Sequence, residues 1–418
     1  LGVNRCLTNV ALYSTRTPCS LPFKSLVGMF KEVKVNSHLQ LVGSAHAEIP
    51  QNVIPSYTGR KWKLFDRRRG LGGLEVDHGA IRKCELRVMT SDMVGHIAQG
   101  RMGLEFAGGD DGRSRKKLGR RHQMVQAQRE ELEEEYLQKA VRLALQGRWT
   151  LWKDFNQRVI TWRSLVYGDT KLYRFCVGAT FNTLASPVNL KRWGLVLSDE
   201  CFICKRIKCT LQHVLSGCKV ALSQGRYRYR HDQVLKVICH HLLGFIGLKK
   251  VGSRTGFVSA GSSVRPGVSG LLLKTTHWIF LSDLGKRLKF PPEIVETRLR
   301  PDIVIYSHAI KVIIMVELTC PCEENFQVRN SDKLMRYTDL KVACEEKGWD
   351  THLFAVEVGA RGYTAQSLSS CLRALGLRNR PLRSCLNEAG DEALRTSFWL
   401  WILREKTSWE QWGRENES

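Results

Sequence analysis

The sequence contains no apolar run that reaches the ~18–20 residues a membrane-spanning helix needs, so a membrane partner is not expected. It also lacks the charged-then-apolar layout of a signal peptide and begins at Leu1 without a methionine, which suggests a fragment of a longer reading frame or an incomplete gene model. No internal repeat is present. Acidic residues are the other shortage. Forty Asp and Glu stand against 65 Lys and Arg, for a formal net charge of +25 and a pI near 9.7. A polyanionic partner fits such an excess, because each cation set against a phosphate releases a condensed counterion. A generally basic soluble protein would carry the same balance, so charge alone does not decide.

What is present allows for a sizeable fold. A chain of 418 residues with 43% hydrophobic content has room for two or three domains with real cores. The 14 cysteines are scattered apart from one group with metal spacing, which predicts a reducing compartment, the nucleus or cytosol. Residues 1–112 are mixed, with Gly and Arg enriched after Gly59. A basic run at 113–121 leads into a helical pattern from about His122 to Leu145, whose acidic centre at Glu130–Glu135 reads as a solvated face. Residues 148–195 read as packed helices whose Trp149, Trp152, Phe155, Trp162, Phe175 and Trp193 belong to a core, with Pro187 ending the last helix. A cysteine-rich module follows, then a helix over about Gln224–Leu243, then a Gly- and Ser-rich stretch at about 249–270 that reads as a mobile loop. The expected division is 1–112, a helical region at 113–198, the cysteine module at 199–222, and a final domain at 223–418.

Cys201, Cys204, His213 and Cys218 follow the pattern C-x2-C-x8-H-x4-C. A C-x2-C turn sets two sulfurs on one side of a tetrahedral Zn²⁺, and the later His and Cys close the other side. Four protein ligands make the zinc structural rather than catalytic. Lys205, Arg206 and Lys208 lie on the intervening loop where they can meet phosphate, and Cys209 is a spare thiol that could replace a ligand.

The final domain changes period. Arg300-Pro301-Asp302 precedes the apolar strand Ile303–Tyr306, a SHAI turn follows, and Lys311–Thr319 (KVIIMVELT) reads as a second buried strand. A helix over about Asn325–Lys347, a strand over His352–Gly359 and a helix near Ala365–Leu375 complete an α/β order with a mixed sheet. Glu317 interrupts the second strand, where a lone carboxylate is costly unless paired or metal-bound. Fourteen residues separate it from Asp302, so the hairpin can bring both to one sheet end to hold Mg²⁺ with the Leu318 carbonyl. The same spacing also suits a solvated strand end with a salt bridge. Thr319, two positions on, carries no positive charge; Lys333, four residues before Tyr337 on the next helix, is the better cation. Upstream, Arg230-His231-Asp232 opens a helix whose apolar stripe is Val234, Leu235, Ile238 and Leu242, leaving Arg228, Arg230 and His231 for nucleic acid or the site.

Taken in order, the Cys201/Cys204/His213/Cys218 knuckle, Arg230-His231-Asp232, and Arg300-Pro301-Asp302 with 14 residues to Glu317 resemble the carboxy-terminal part of R2-type non-LTR retrotransposon polyproteins. That family carries a CCHC knuckle, then R/K-H-D, then R/K-P-D-x12–14-E. GRYRYRHDQVL (225–235), VELTCP (316–321) and VEVGARG (356–362) look like its animal members, and TGRKW (58–62), GRMGL (100–104) and LKRWGL (190–195) extend the likeness more weakly. The resemblance implies an α+β protein: a mostly helical N-terminal half with the knuckle, then a restriction-endonuclease-like PD-(D/E)XK domain whose lysine has moved to a helix, consistent with Lys333. It implies nicking of target DNA with Mg²⁺, in support of reverse transcription of element RNA, in the nucleus. It makes residues 1–112 partly post-polymerase sequence and 113–198 thumb-like. The polymerase palm is missing; Phe106-Ala107-Gly108-Gly109-Asp110-Asp111 lies among glycines and basic residues and is rejected as its hairpin. The alternative is a catalytically silent, zinc-containing nucleic-acid-binding remnant.

Overall fold

A computed structural model describes residues 6–42, 120–247, 258–259, 270–275, 277–285 and 287–409. The Gly- and Arg-rich region, the basic run up to Gly119 and the rejected Gly-Asp-Asp segment lie outside the described residues. So does the loop at about 249–270, apart from Val258–Ser259 and Gly270. Among the described residues no helix is long and apolar enough to cross a membrane.

The chain clusters into two compact units, one of them formed by Leu12–Arg16 and Leu21–Arg142. The short helix α1 (Asn9–Tyr13) contributes only its last two residues to that unit, in which helix α2 (Leu26–Val42) packs on α3 (Arg120–Arg142). Gly28 permits the close approach: a Cβ there would lie 2.8 Å from Leu132 Cδ2. Arg129 grips Glu32 with two hydrogen bonds of 2.8 and 2.7 Å. The acidic centre of α3 is not wholly solvated, because Glu133 accepts from the Ser14 and Thr15 hydroxyls at 2.6 and 2.8 Å.

The second unit holds Leu1–Ala11, Thr17–Ser20 and Leu143–Ser418. Its first part is a parallel pair of two-residue strands, β1 (Cys19–Ser20) and β2 (Arg158–Val159), with helices α4 (Trp162–Tyr167), α5 (Thr170–Thr180) and α6 (Pro187–Arg192). Trp149, Trp152 and Phe175 are buried as expected, Phe155 is half-buried, and Trp162 and Trp193 are exposed. Pro187 opens α6 rather than ending a helix. Ser186 caps the end and Pro187 takes the first helical position, where its missing N–H costs nothing.

Beyond the cysteine module, α7 (Lys219–Ser223) leads through Gly225, at φ 77°, into α8 (Arg226–Ile246). The sheet then runs β3 (Val258–Ser259), β4 (His277–Ser282), β5 (Ile303–Ser307), β6 (Val312–Thr319) and β7 (Asp350–Glu357), ordered as in sequence. All neighbours are antiparallel except β6 and β7, which are parallel because α9 (Phe326–Glu346) carries the chain back across the sheet. Helices α10 (Gln366–Leu375) and α11 (Asn379–Ile402) complete the unit. Described residues thus form an α+β protein with a mixed sheet.

Strand alternation divides the core in two and decides where the charges go. Ile303, Ile305, Ile314, Val316, Leu318 and Val356 share one core with α8, α10 and α11. Val304, Tyr306, Ile313 and Met315 share another with Tyr337, Leu340 and Cys344 of α9. Glu317 continues this second set, so its carboxylate faces α9, while Asp302 stands just ahead of β5. The inward stripe of α9 is Phe326, Asn330, Lys333, Tyr337, Leu340 and Cys344, spaced at helical period with a polar middle.

Candidate metal centre and carboxylate site

The cysteine module folds as the spacing predicts. Cys201 N–H donates to the Arg206 carbonyl at 2.8 Å and Lys205 N–H to the Cys201 carbonyl at 3.0 Å, closing the C-x2-C turn. Lys205 and Lys208 take positive φ, 57° and 59°, to complete the loop. The donor atoms of Cys201, Cys204, His213 and Cys218 all lie within 4.8 Å of one another, and His213 Nε2 is 3.3 Å from Cys204 Sγ. Three sulfurs and one imidazole at this separation can hold a metal ion such as zinc. Burial, and then Arg206, lower the His213 pKa, which favours the neutral imidazole that ligates. Cys209 is outside the mutually close set. Its thiol is 1% exposed and pushed well above the ordinary value, chiefly by burial and then by Cys201. Tyr227 of α8 supports the module from behind: its hydroxyl accepts from Cys218 N–H at 3.0 Å and donates to the Val214 carbonyl at 3.0 Å. Lys205, Arg206 and Lys208 are exposed on the loop.

The second site forms at the ends of β5 and β6. Asp302 and Glu317 are only 8% and 4% exposed and interlock through the backbone. Asp302 N–H donates to Glu317 Oε2 at 3.2 Å, and Leu318 N–H donates to Asp302 Oδ2 at 2.7 Å. Lys333 reaches across from α9 and its Nζ contacts Glu317 Oε1 directly. Tyr337, one turn further, donates its hydroxyl to the Arg300 carbonyl at 2.8 Å. Burial first, then the Asp302 charge, raise the Glu317 pKa, while Lys333 opposes them. Burial and then Glu317 push the Tyr337 phenol far above its usual range, so it stays a donor.

His231 joins the same site from α8. Its Nε2 is 3.2 Å from Asp302 Oδ2 and its Nδ1 is 3.0 Å from Asp232 Oδ1. Burial alone would lower its pKa, but the hydrogen bonds to Asp232 and Asp302 prevail and raise it well above the ordinary value. Four chain segments therefore converge on one sheet end: β5, β6, α8 and α9.

The basic residues next to His231 do not share a role. Arg228 is exposed and lies 3.8 Å from Asp232. Arg230 requires correction: it is 1% exposed and unavailable to a phosphate. Its Nη1 donates to the Leu215 carbonyl at 2.9 Å and the Ser397 hydroxyl at 3.1 Å, and its Nη2 to the Cys320 carbonyl at 2.9 Å. It clamps the cysteine module, the exit of β6 and α11 to α8.

Two residues of the site were not anticipated from sequence. Asn330 donates from α9 to the Ala355 carbonyl at 2.9 Å and to Glu357 Oε1 at 3.0 Å. Glu357 ends β7 on the face shared with Glu317, opposite Thr319 in the parallel ladder. The signal for it was present: a carboxylate inside HLFAVEVG breaks an apolar strand as Glu317 does in KVIIMVELT. No protein-family model matches this chain, and no curated protein matches it in sequence.

Proposed function

We propose that this chain is the Mg²⁺-dependent DNA endonuclease module of an R2-type non-LTR retrotransposon protein, with a restriction-endonuclease-like PD-(D/E)XK domain and a structural zinc knuckle. The observation that carries the reading is the convergence of Asp302, Glu317, Lys333 and His231, from four separate segments, on one sheet end. A buried salt bridge alone needs two of them.

The donor set suits a hard cation. Asp302 and Glu317 offer carboxylate oxygens and would hold Mg²⁺, with water and a DNA phosphate filling the remaining positions. When bound, the ion supplies a more acidic water and neutralises charge on the phosphate. The residues do the rest. Lys333 directs its ammonium to the Glu317 edge, where it orients the attacking water and stabilises charge on the pentavalent phosphate. His231, held by Asp232, fixes the Asp302 carboxylate. Attack on phosphorus breaks the bond to the 3′ oxygen, which takes a proton and leaves as a 3′ hydroxyl beside a 5′ phosphate. That hydroxyl is the end from which reverse transcription would start. Tyr337 anchors Arg300 and hence the turn before Asp302. Exposed Arg228, Lys205, Arg206 and Lys208 would contact DNA or element RNA, and the setting would be the nucleus.

A plasmid-nicking assay with Mg²⁺ tests the proposal. The unmutated chain is expected to convert supercoiled to open-circular DNA, and Asp302→Asn to slow this by at least about 100-fold. A folded, zinc-loaded chain that binds DNA without nicking it would replace the enzyme with the silent remnant.

A further inference from the structure

Glu357 is 1% exposed, yet among the described residues no cation hydrogen-bonds to it. Asn330 Nδ2 donates to Oε1 at 3.0 Å and Ser367 Oγ to Oε2 at 2.6 Å. A buried carboxylate held only by neutral donors is a costly way to fill space, and a leucine would pack there more cheaply. The arrangement gains meaning from what Asn330 carries. Its second amide hydrogen goes to the Ala355 carbonyl at 2.9 Å, so both are committed to β7. Asn330 stands three residues before Lys333 and seven before Tyr337, on the same face of α9. Asn325, at the start of α9, makes no capping hydrogen bond with its side chain. In the ladder, Ala355 lies opposite Glu317 and Glu357 opposite Thr319. Adjacent strands thus present two carboxylates to one helix, which meets one with an amide and the other with an ammonium.

We infer that Glu357 is a positioning residue: through Asn330 it fixes the rotation and height of the first half of α9 on the sheet, and so delivers the Lys333 ammonium to Glu317. The inference rests on the nuclease reading for its consequence in catalysis, but not for the geometry it predicts. Ser367, at the start of α10, ties the other oxygen and keeps the Glu357 carboxylate turned towards α9.

The test uses the full chain with Glu357→Ala and Asn330→Ala, and two readouts. The first is acylation of lysine amines by an acetyl N-hydroxysuccinimide ester, followed residue by residue with mass spectrometry. Lys333 is expected to label slowly in the unmutated chain, and about tenfold faster in each variant, the loss of one hydrogen bond's worth of positioning. The second is Mg²⁺-dependent nicking. Each variant is expected to lower kcat by about tenfold or more while KM for DNA stays within about twofold. With Lys333→Ala already in place, Glu357→Ala should cost nothing further, whereas a merely structural role would still slow the reaction. An unchanged kcat in both variants of an active chain overturns the proposal. If the unmutated chain does not nick, the nuclease reading falls and labelling alone decides: unchanged Lys333 acylation in both variants then overturns the positioning role. Should Glu357→Ala fail to fold, Asn330→Ala carries both readouts by itself.

Discussion

Replacing Arg230 with methionine separates two roles that one surface-like triplet can suggest. Methionine keeps the apolar stem and removes the guanidinium. The carbonyls of Leu215 and Cys320 then lose their donor inside the protein, at roughly 1–3 kcal/mol each, while the Ser397 hydroxyl can turn to another acceptor. Part of this returns, because a buried guanidinium carries its own desolvation cost. The net is about 3 kcal/mol, or roughly 6–12 °C of melting temperature at about 2–4 °C per kcal/mol for a domain of this scale. Differential scanning fluorimetry on the full chain measures it, alongside DNA binding across a salt series. A clamp predicts a large drop in Tm with an unchanged salt slope for whatever remains folded. A phosphate contact predicts the reverse: Tm within about 1 °C and a slope reduced by about one. The second outcome would refute the burial-based reasoning.

Zinc analysis of the purified chain should return one ion per molecule. Cys204→Ser should lose it with a fall in Tm, and Cys209→Ser should keep it; a folded protein with no zinc would remove the centre. Glu357 is held above the usual carboxylate range, chiefly by burial, with Ser367 and Asn330 pulling it partly back. Its contribution to stability is therefore fully present below the unfolded pKa of about 4.3 and is lost as pH rises through the higher folded value. The Tm of Glu357→Gln relative to the unmutated chain should climb between about pH 4 and pH 8, and a flat difference would contradict the burial argument. Thr319 lies two residues past Glu317 on the same face, with a buried hydroxyl that has no hydrogen-bond partner among the described residues. Lys333→Ala should slow nicking by about 100-fold and Thr319→Lys should restore at least about tenfold in that background, since a strand lysine can offer the same charge. No recovery in a double variant that folds normally would mean that the helix origin of the amine matters in itself.

Much of the site was legible because spacing carries it. The knuckle needs only local turns, and the Asp302–Glu317 pair needs only a hairpin whose register follows from alternation. Lys333 was reachable from helical period, four residues before Tyr337. The failures have a common physical cause. Arg226 and Arg230 continue the stripe Val234, Ile238 and Leu242 at intervals of four, so the period marks them as inward. Charge argues for solvent, and only the tertiary arrangement of carbonyls makes burial affordable. Pro187 suffered the opposite ambiguity, since one residue type both opens helices and ends them. Asn330 was invisible because an amide on a helix face says nothing until the strand opposite is known. The solvated reading of the α3 acids likewise missed Ser14 and Thr15, more than a hundred residues away in sequence.

The polar middle of the α9 stripe has a consequence for any attempt to improve this protein. Asn330 and Lys333 occupy inward positions where leucine or methionine would bury more apolar surface against the sheet. A library screened for heat resistance alone should therefore enrich apolar residues at 330 and 333, and its best survivors should be inert towards DNA. On the nuclease reading proposed above, robustness and chemistry compete for the same two turns of one helix, so a selection that rewards only the first will erase the second.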